Sequence, residues 1–104
     1  MKVSIITVSL NSEKTIEKTI NSVISQDHKN IEYIIVDGGS KDNTLKLANK
    51  YKSSIAKIIS EKDKGIYDGI NKGIKIATGD IISLIHSNDI FADTNVISKI
   101  NDIF

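Results

Sequence analysis

Ile34-Ile35-Val36-Asp37-Gly38-Gly39-Ser40-Lys41-Asp42-Asn43-Thr44 is the stretch whose reading decides the fold. A β-branched apolar run stops at an aspartate, two glycines and a group of turn formers, which reads as a short strand, a loop and a helix start. The run begins at Ile31, so the strand is expected over 31–37. It is too short for a buried helix. Working outward, the runs 3–10, 55–60 and 81–86 have the same character, and turn chemistry follows each.

Helical periodicity fills the intervals. Residues 13–26 place Ile16, Ile20, Val23 and Ile24 at helical spacing, with Ser12 or Asn11 as N-cap. Residues 44–51 carry Leu45, Ala48 and Tyr51 on one face. Residues 66–78 carry Ile66, Ile70, Ile74 and Ala77, with Gly79 as the stop at the C′ position. A further helix is expected over 96–104, after Asp93-Thr94. Strands alternate with helices, and the crossovers are long enough for parallel pairing. The expectation is therefore an α/β domain over 1–104 with a right-handed, doubly wound, mainly parallel sheet. Ligands of such sheets lie beyond the carboxyl ends of the strands, which singles out residues 9–11, 37–42, 60–68 and 86–89.

Composition narrows the function classes. A chain of 104 residues, 39% of them hydrophobic, can close one core. There is no cysteine, which removes disulfides and thiolate metal sites. Net charge is +1 and both signs are scattered, so the clustered basic face of a nucleic-acid binder is missing. The opening run 3–10 imitates a signal peptide but is broken by Thr7 and Ser9, and no run reaches the roughly eighteen apolar residues of a spanning helix. The expected location is the cytoplasm, or the periphery of a membrane on its cytoplasmic side. No Walker A, G-x-G-x-x-G or G-x-S-x-G pattern and no zinc spacing occurs, which sets aside most P-loop, dinucleotide and hydrolase readings.

Candidate chemistry sits in the four loop segments. Asp37 projects from a strand end beside glycines that let a ligand approach backbone N–H groups, although a turn-starting, helix-capping aspartate has the same sequence. Asp89 follows the last apolar run, where a carboxylate suits Mg²⁺ or Mn²⁺ between phosphates, or simply starts a helix. His86 reads as a packed, hydrogen-bonded strand-end side chain ahead of a ligand or leaving-group contact. Lys64 precedes a helix start that can meet phosphate, and Asp68 and Asn71 lie three residues apart on one helical face, able to bond sugar or ribose hydroxyls. A solvated, charged helix start is the plainer reading of the same residues.

Taken in order, these segments resemble the family 2 glycosyltransferases of the GT-A fold. The likeness runs from Val3 to about Phe91. It is carried by the opening strand 3–11, the strand and turn 34–44, the stretch Asp63-Lys64-Gly65-Ile66-Tyr67-Asp68-Gly69-Ile70-Asn71-Lys72-Gly73, and Ala77-Thr78-Gly79-Asp80. The resemblance implies a Rossmann-like nucleotide-binding half for a nucleoside diphosphate sugar, with a UDP-sugar as the foremost donor. It makes Asp37 the contact to the base and Ser9 part of the base and ribose wall, with Lys64, Asp68 and Asn71 near the diphosphate sugar. His86-Ser87-Asn88-Asp89 takes the place of the DXD-like motif, with Asn88 a ribose contact and Asp89 the carboxylate on a divalent metal, Mn²⁺ or Mg²⁺. Leu10 stands where a base-stacking aromatic residue is usual, and Asn88, which brings no charge, where the first aspartate is usual.

The implied reaction is inverting transfer to a hydroxyl of a glycan or lipid-linked acceptor, in polysaccharide or glycoconjugate synthesis. The resemblance places the catalytic base in a second, acceptor-binding half, and the last helix runs to Phe104 without a stop signal. The chain is therefore expected to be truncated before that half, and no residue is nominated as base. A non-catalytic nucleotide-sugar-binding module is the competing reading. A receiver-like signalling domain phosphorylated on Asp37 is the third, and it lacks the acidic pair expected after the first strand, where Ser9, Leu10 and Asn11 stand.

Overall fold

A computed structural model of the chain describes residues 1–62 and 65–87. The described chain runs β1 (Val3–Ser9), α1 (Ile16–Ile24), β2 (Ile31–Asp37), α2 (Thr44–Asn49), a short 3-10 turn (Lys52–Ser54), β3 (Lys57–Ser60), α3 (Ile66–Ile76) and β4 (Ile81–Leu84). All the strands pair in parallel, in the order β3-β2-β1-β4. The chain therefore steps from β1 to β2 to β3 in one direction and then returns to lay β4 on the other side of β1. This is the doubly wound sheet, and it sets a topological switch point between β1 and β4.

Strand alternation sorts the core into two clusters. Val3, Ile5, Tyr33 and Ile35 pack with Ile16, Ile20 and Val23 of α1, Ala48 of α2, and Ile55 and Ile85. Ile6, Ile34 and Val36 point the other way and pack with Val8, Ile76 and Ala77. Helices thus cover both faces, which is why the strands read as continuous apolar runs. Tyr33 carries a polar tip into the larger cluster, where its hydroxyl pairs with Thr7 Oγ1 at 2.8 Å and burial pushes its pKa up.

Several local expectations are corrected. Helix α1 begins at Ile16, with Thr15 in the cap position and no side-chain cap bond; Ser12 and Asn11 do not cap it. The Ser12 carbonyl instead accepts from the N–H groups of Thr15 and Ile16 at 3.0 and 2.9 Å, forming a turn ahead of the helix. In α2, Leu47 rather than Leu45 joins Tyr51 against the core. Helix α3 presents a different face from the one its isoleucines mark: Gly69 and Gly73 are buried, whereas Ile66 and Ile74 are 46% and 43% exposed. The reason is close approach. A Cβ on Gly73 would stand 2.7 Å from Ile6 Cγ2, so the glycine face is the one that meets the sheet.

Gly79 is not a C′ glycine. Helix α3 stops at Ile76 and Ala77 is already extended, with φ −67° and ψ 136°. Gly79 is needed two residues later, where its N–H donates to Ser4 Oγ at 2.8 Å and a Cβ would fall 2.7 Å from the Ser4 amide nitrogen. β1 and β4 are shorter at their carboxyl ends than the runs 3–10 and 81–86, and β3 starts at Lys57 after the 3-10 turn. The expected helix 96–104 lies outside the described residues. Among the described residues no helix is long and apolar enough to cross a membrane.

Glu32 ties the amino-terminal edge together. It accepts from Ser4 Oγ at 2.7 Å and from the Thr78 N–H and hydroxyl at 2.8 and 2.9 Å, with Lys2 Nζ at 3.6 Å. Desolvation raises its pKa, but these hydrogen bonds and the Lys2 charge outweigh that and bring it down to about 2. Because the folded value lies below the ordinary 4.5, the stability Glu32 contributes is full above that value and drains away as pH falls toward about 2. Glu32→Gln should flatten this part of the acid unfolding curve followed by circular dichroism. Gly79→Ala should cost about 1 to 3 kcal/mol in urea unfolding, because the added methyl meets backbone that cannot turn aside.

Candidate functional site

Parallel register places Ser9, Asp37 and Ser60 in one row across the carboxyl edge of β1, β2 and β3. Asp37 is 1% exposed, and a carboxylate so placed must be hydrogen-bonded or it costs several kcal/mol. Its Oδ1 accepts from Ser9 Oγ at 3.0 Å and from the Ser40 hydroxyl. Its Oδ2 accepts from the Gly39 and Ser40 N–H groups at 3.1 and 2.9 Å and from Ser60 Oγ at 3.0 Å. Gly39, at φ 90°, supplies the left-handed step that turns successive N–H groups onto one oxygen. Burial alone would raise the Asp37 pKa. The bonds from the Ser40 hydroxyl and N–H, then Ser9 and Ser60, more than offset it and hold the carboxyl below its usual range.

The loops after β1 and β2 are zipped to each other. Asn11 sits at φ 49°, a left-handed value that asparagine tolerates. Its N–H donates to Ser40 Oγ at 2.8 Å while its Oδ1 accepts from the Lys41 N–H at 2.8 Å. The Ser12 N–H reaches Thr44 Oγ1 at 2.6 Å. The Glu13 N–H donates to Asp42 at 3.2 Å, and the Glu13 carboxylate accepts from the Asn43 N–H at 3.2 Å. From the other side, Ser87 joins the chain after β4 to α1: its hydroxyl pairs with Ser12 Oγ at 2.7 Å and its carbonyl accepts from Thr15 and Thr19 at 2.8 and 3.0 Å.

These loops surround a cleft of about 680 Å³, lined by residues 8–15, Gly38, Asp42, Gly65, Ile66, His86 and Ser87. That volume suits a small-molecule ligand, and the cleft opens at the carboxyl ends of β1, β2 and β4, over the switch point. Leu10 and Ile66 bring apolar surface to it, 58% and 46% exposed, while Lys14 and the carboxylates of Glu13 and Asp42 bring charge. Gly65 starts α3 on the far wall at φ 124°, a conformation that favours glycine.

Ser9 and Asp37 are brought together, with Ser9 on the cleft wall and Asp37 directly behind it. Asp68 and Asn71 lie along α3 and do not line the cleft. Asp68 pairs with Lys72 at 3.5 Å, Lys72 also reaches Glu61 at 3.0 Å, and Asn71 is exposed. Lys64, Asn88 and Asp89 lie outside the described residues. His86 is exposed on the cleft wall, which corrects its reading as a packed, hydrogen-bonded strand-end side chain. Among the described residues no three histidine, aspartate or glutamate side chains come together to hold a metal. Lys14 and Thr15 also line the cleft and stand outside the segments the sequence singles out, because a lysine and a hydroxyl ahead of a helix carry no periodic signal.

Comparison with known proteins gives this geometry a family. The model for "Glycosyl transferase family 2" matches residues 4–102. The Escherichia coli UDP-Glc:alpha-D-GlcNAc-diphosphoundecaprenol beta-1,3-glucosyltransferase WfaP is 39% identical over 102 residues, covering 95% of this chain and 40% of its own. The crystal structure of S. aureus TarS 1-349 in complex with UDP-GlcNAc superposes with a TM-score of 0.85 at 28% identity, over 99% of this chain and 30% of that one. Glucosyl-3-phosphoglycerate synthase from Mycobacterium tuberculosis, solved with Mn²⁺, UDP and phosphoglyceric acid, gives 0.69 at 28% identity, over 86% of this chain and 34% of that one. The chain spans 37% to 40% of the length of the curated relatives it matches.

The Asp37 network generates a stability prediction independent of any ligand. Asp37→Asn should lower unfolding free energy by about 1 to 3 kcal/mol in urea titration, because the amide nitrogen turns donors against donors. For wild type, the stability Asp37 contributes is full above the ordinary aspartate range and is lost as pH falls through the depressed folded value. Equal unfolding midpoints for the two proteins from neutral to acid pH would remove the carboxylate from its organising role.

Proposed function

The chain belongs to glycosyl transferase family 2, and from that premise we propose that it forms the donor site of a glycosyltransferase, holding a nucleoside diphosphate sugar in the cleft described above. The observation that carries the proposal is the position of the cleft. It lies at the carboxyl ends of β1, β2 and β4, with loops already fixed by their own hydrogen bonds. UDP-sugars are the proposed donor class, a reading supported by the UDP-GlcNAc bound to TarS and the UDP-Glc in the name of WfaP.

Ser9 and Asp37 act as one unit at the base end. Ser9 faces the ligand, and Asp37 fixes the serine and the Gly38 turn; direct contact between Asp37 and the base requires one internal hydroxyl to turn away. Leu10 supplies apolar surface in place of an aromatic face. Lys64 serves the diphosphate sugar and Asn88 the ribose, whereas Asp68 and Asn71, which stand along α3 outside the cleft, are given no contact to the donor. Asp89 is the proposed carboxylate for a divalent metal, and an oxygen donor of this kind suits Mg²⁺ or Mn²⁺. When bound, such an ion supplies positive charge to the diphosphate leaving group.

In the proposed reaction an acceptor hydroxyl loses its proton to a carboxylate base and its oxygen bonds to the anomeric carbon from the face opposite the diphosphate. The bond from that carbon to the diphosphate oxygen breaks, with inversion. The base is assigned to no residue here. The acceptor is a glycan or lipid-linked hydroxyl, a reading supported by the undecaprenol-linked substrate in the name of WfaP, and the proposed place of action is the cytoplasm or the cytoplasmic face of a membrane.

Calorimetry tests the donor site. UDP should bind saturably, and Ser9→Ala should weaken it by about 1 kcal/mol. Mn²⁺ should tighten binding, Asp89→Ala should remove the metal dependence, and Asn88→Asp should increase it by adding a second carboxylate. Titrations in which UDP produces no heat and no displacement of a fluorescent nucleotide, with or without Mn²⁺, would sink the proposal. Release of UDP from a UDP-sugar in the presence of a mixed acceptor pool separates transfer from binding alone.

A further inference from the structure

We infer that Lys14 is a specificity-determining residue whose ammonium meets the diphosphate of the donor and so tells a nucleoside diphosphate from the bare nucleoside. The inference rests on the reading of the cleft as the donor site. Among the described residues Lys14 is the one lysine that lines the cleft. It is exposed, and no carboxylate among the described residues lies within ion-pair distance of it, whereas Lys2, Lys50 and Lys72 each hold one. A lysine ammonium is a compact point charge with rotatable donors, which suits phosphate oxygens.

The charges of the cleft are sorted by side. Glu13 and Asp42, its lining carboxylates, are committed to the loop after β2: Glu13 accepts from the Asn43 N–H at 3.2 Å, and Asp42 accepts from the Glu13 N–H at 3.2 Å and the Thr44 N–H at 2.9 Å. With Asp37 buried behind Ser9, negative charge collects toward β2, and a diphosphate is repelled from there. Lys14 is held by its chain neighbours where the two rims approach. The Glu13 N–H is tied to Asp42 of the loop after β2, and the Thr15 hydroxyl to the Ser87 carbonyl after β4 at 2.8 Å. Lys14 gives α1 nothing in return. The helix starts at Ile16 behind Thr15, and a positive charge ahead of a helix start opposes its dipole, whereas Glu17 in the first turn complements it. An exposed lysine is ordinarily a solvated surface charge. This one lines a cleft of ligand size, has no anionic partner and stands against the local helix preference.

Calorimetry with uridine and with UDP, each in EDTA and again with Mn²⁺, separates the phosphate contribution from that of base and ribose. Lys14→Gln removes the charge and keeps a polar chain, and Lys14→Arg keeps the charge. UDP affinity should fall about tenfold in Lys14→Gln with uridine affinity unchanged, and Lys14→Arg should keep most of the affinity for UDP. Binding of UDP by wild type should also weaken as NaCl is raised, and binding by Lys14→Gln should weaken less. Should Lys14→Gln fail to give the wild-type circular dichroism spectrum, Lys14→Met is read in its place. Wild-type UDP affinity in the uncharged variant overturns the assignment and leaves the donor-site reading standing. An equal loss for uridine and UDP places Lys14 at the base end and overturns it as well. A wild-type chain that binds neither ligand, in EDTA or with Mn²⁺, removes the donor-site reading and the inference with it.

Discussion

A single buried carboxylate connects the ends of three strands. Asp37 terminates β2, takes a hydroxyl from Ser9 at the end of β1 and another from Ser60 at the end of β3, and gathers the Gly39-Ser40 turn onto the same two oxygens. Desolvation opposes a charge at that depth, and the hydrogen bonds prevail, since the carboxyl titrates below its ordinary range. Bonds to an ionised acceptor are roughly twice as strong as neutral ones, which is how a few serines and two amides stabilise the charge. The cleft inherits its shape from this arrangement, because Ser9 and Gly38 line it, Asp37 holds the Ser9 hydroxyl, and the Gly38 N–H donates to the Ser9 carbonyl.

The order of strands explains why the site lies where it does. The loop leaving β1 and the chain after β4 meet through Ser12, Thr15 and Ser87, and the loop after β2 closes the other side through Asn11 and Ser40. A cleft at the carboxyl edge is the direct result. The amino-terminal edge has its own carboxylate fastening, in which Glu32 joins Ser4 and Thr78. Both edges thus rely on depressed acids, and both loosen when protonated.

Strand 31–37 was legible to the residue, because an apolar run that stops at Asp-Gly-Gly has one sensible end. The helices were legible in place but not always in face. The isoleucines of α3 mark a stripe that the fold leaves half exposed, since Gly69 and Gly73 let the backbone lie against Ile6 and steric fit outweighs hydrophobic periodicity there. Gly79 was misread for a related reason: a glycine after a helix usually signals a left-handed stop, but here it makes room for Ser4. At the site, the strand ends put residues 9 and 37 on one sheet edge without foretelling the hydrogen bond between Ser9 and Asp37, and the hydroxyls of Ser12, Thr15 and Thr19 act on Ser87, some seventy positions away, and leave no local trace.

The zip between the loops after β1 and β2 bears on the thermodynamics of ligand capture. A loop that must order itself around a guest surrenders backbone freedom at roughly 1 to 2 kcal/mol per residue, and that loss is subtracted from affinity. Here Asn11, Ser12, Glu13, Lys41 and Asn43 each commit a backbone amide to a side chain of the opposite loop. Their ordering is completed in folding, so a guest meets a surface already in its final form and spends little of its contact energy on induced fit. The same commitment makes the rim intolerant of insertions, since an added residue would put every one of those amides out of step with its partner.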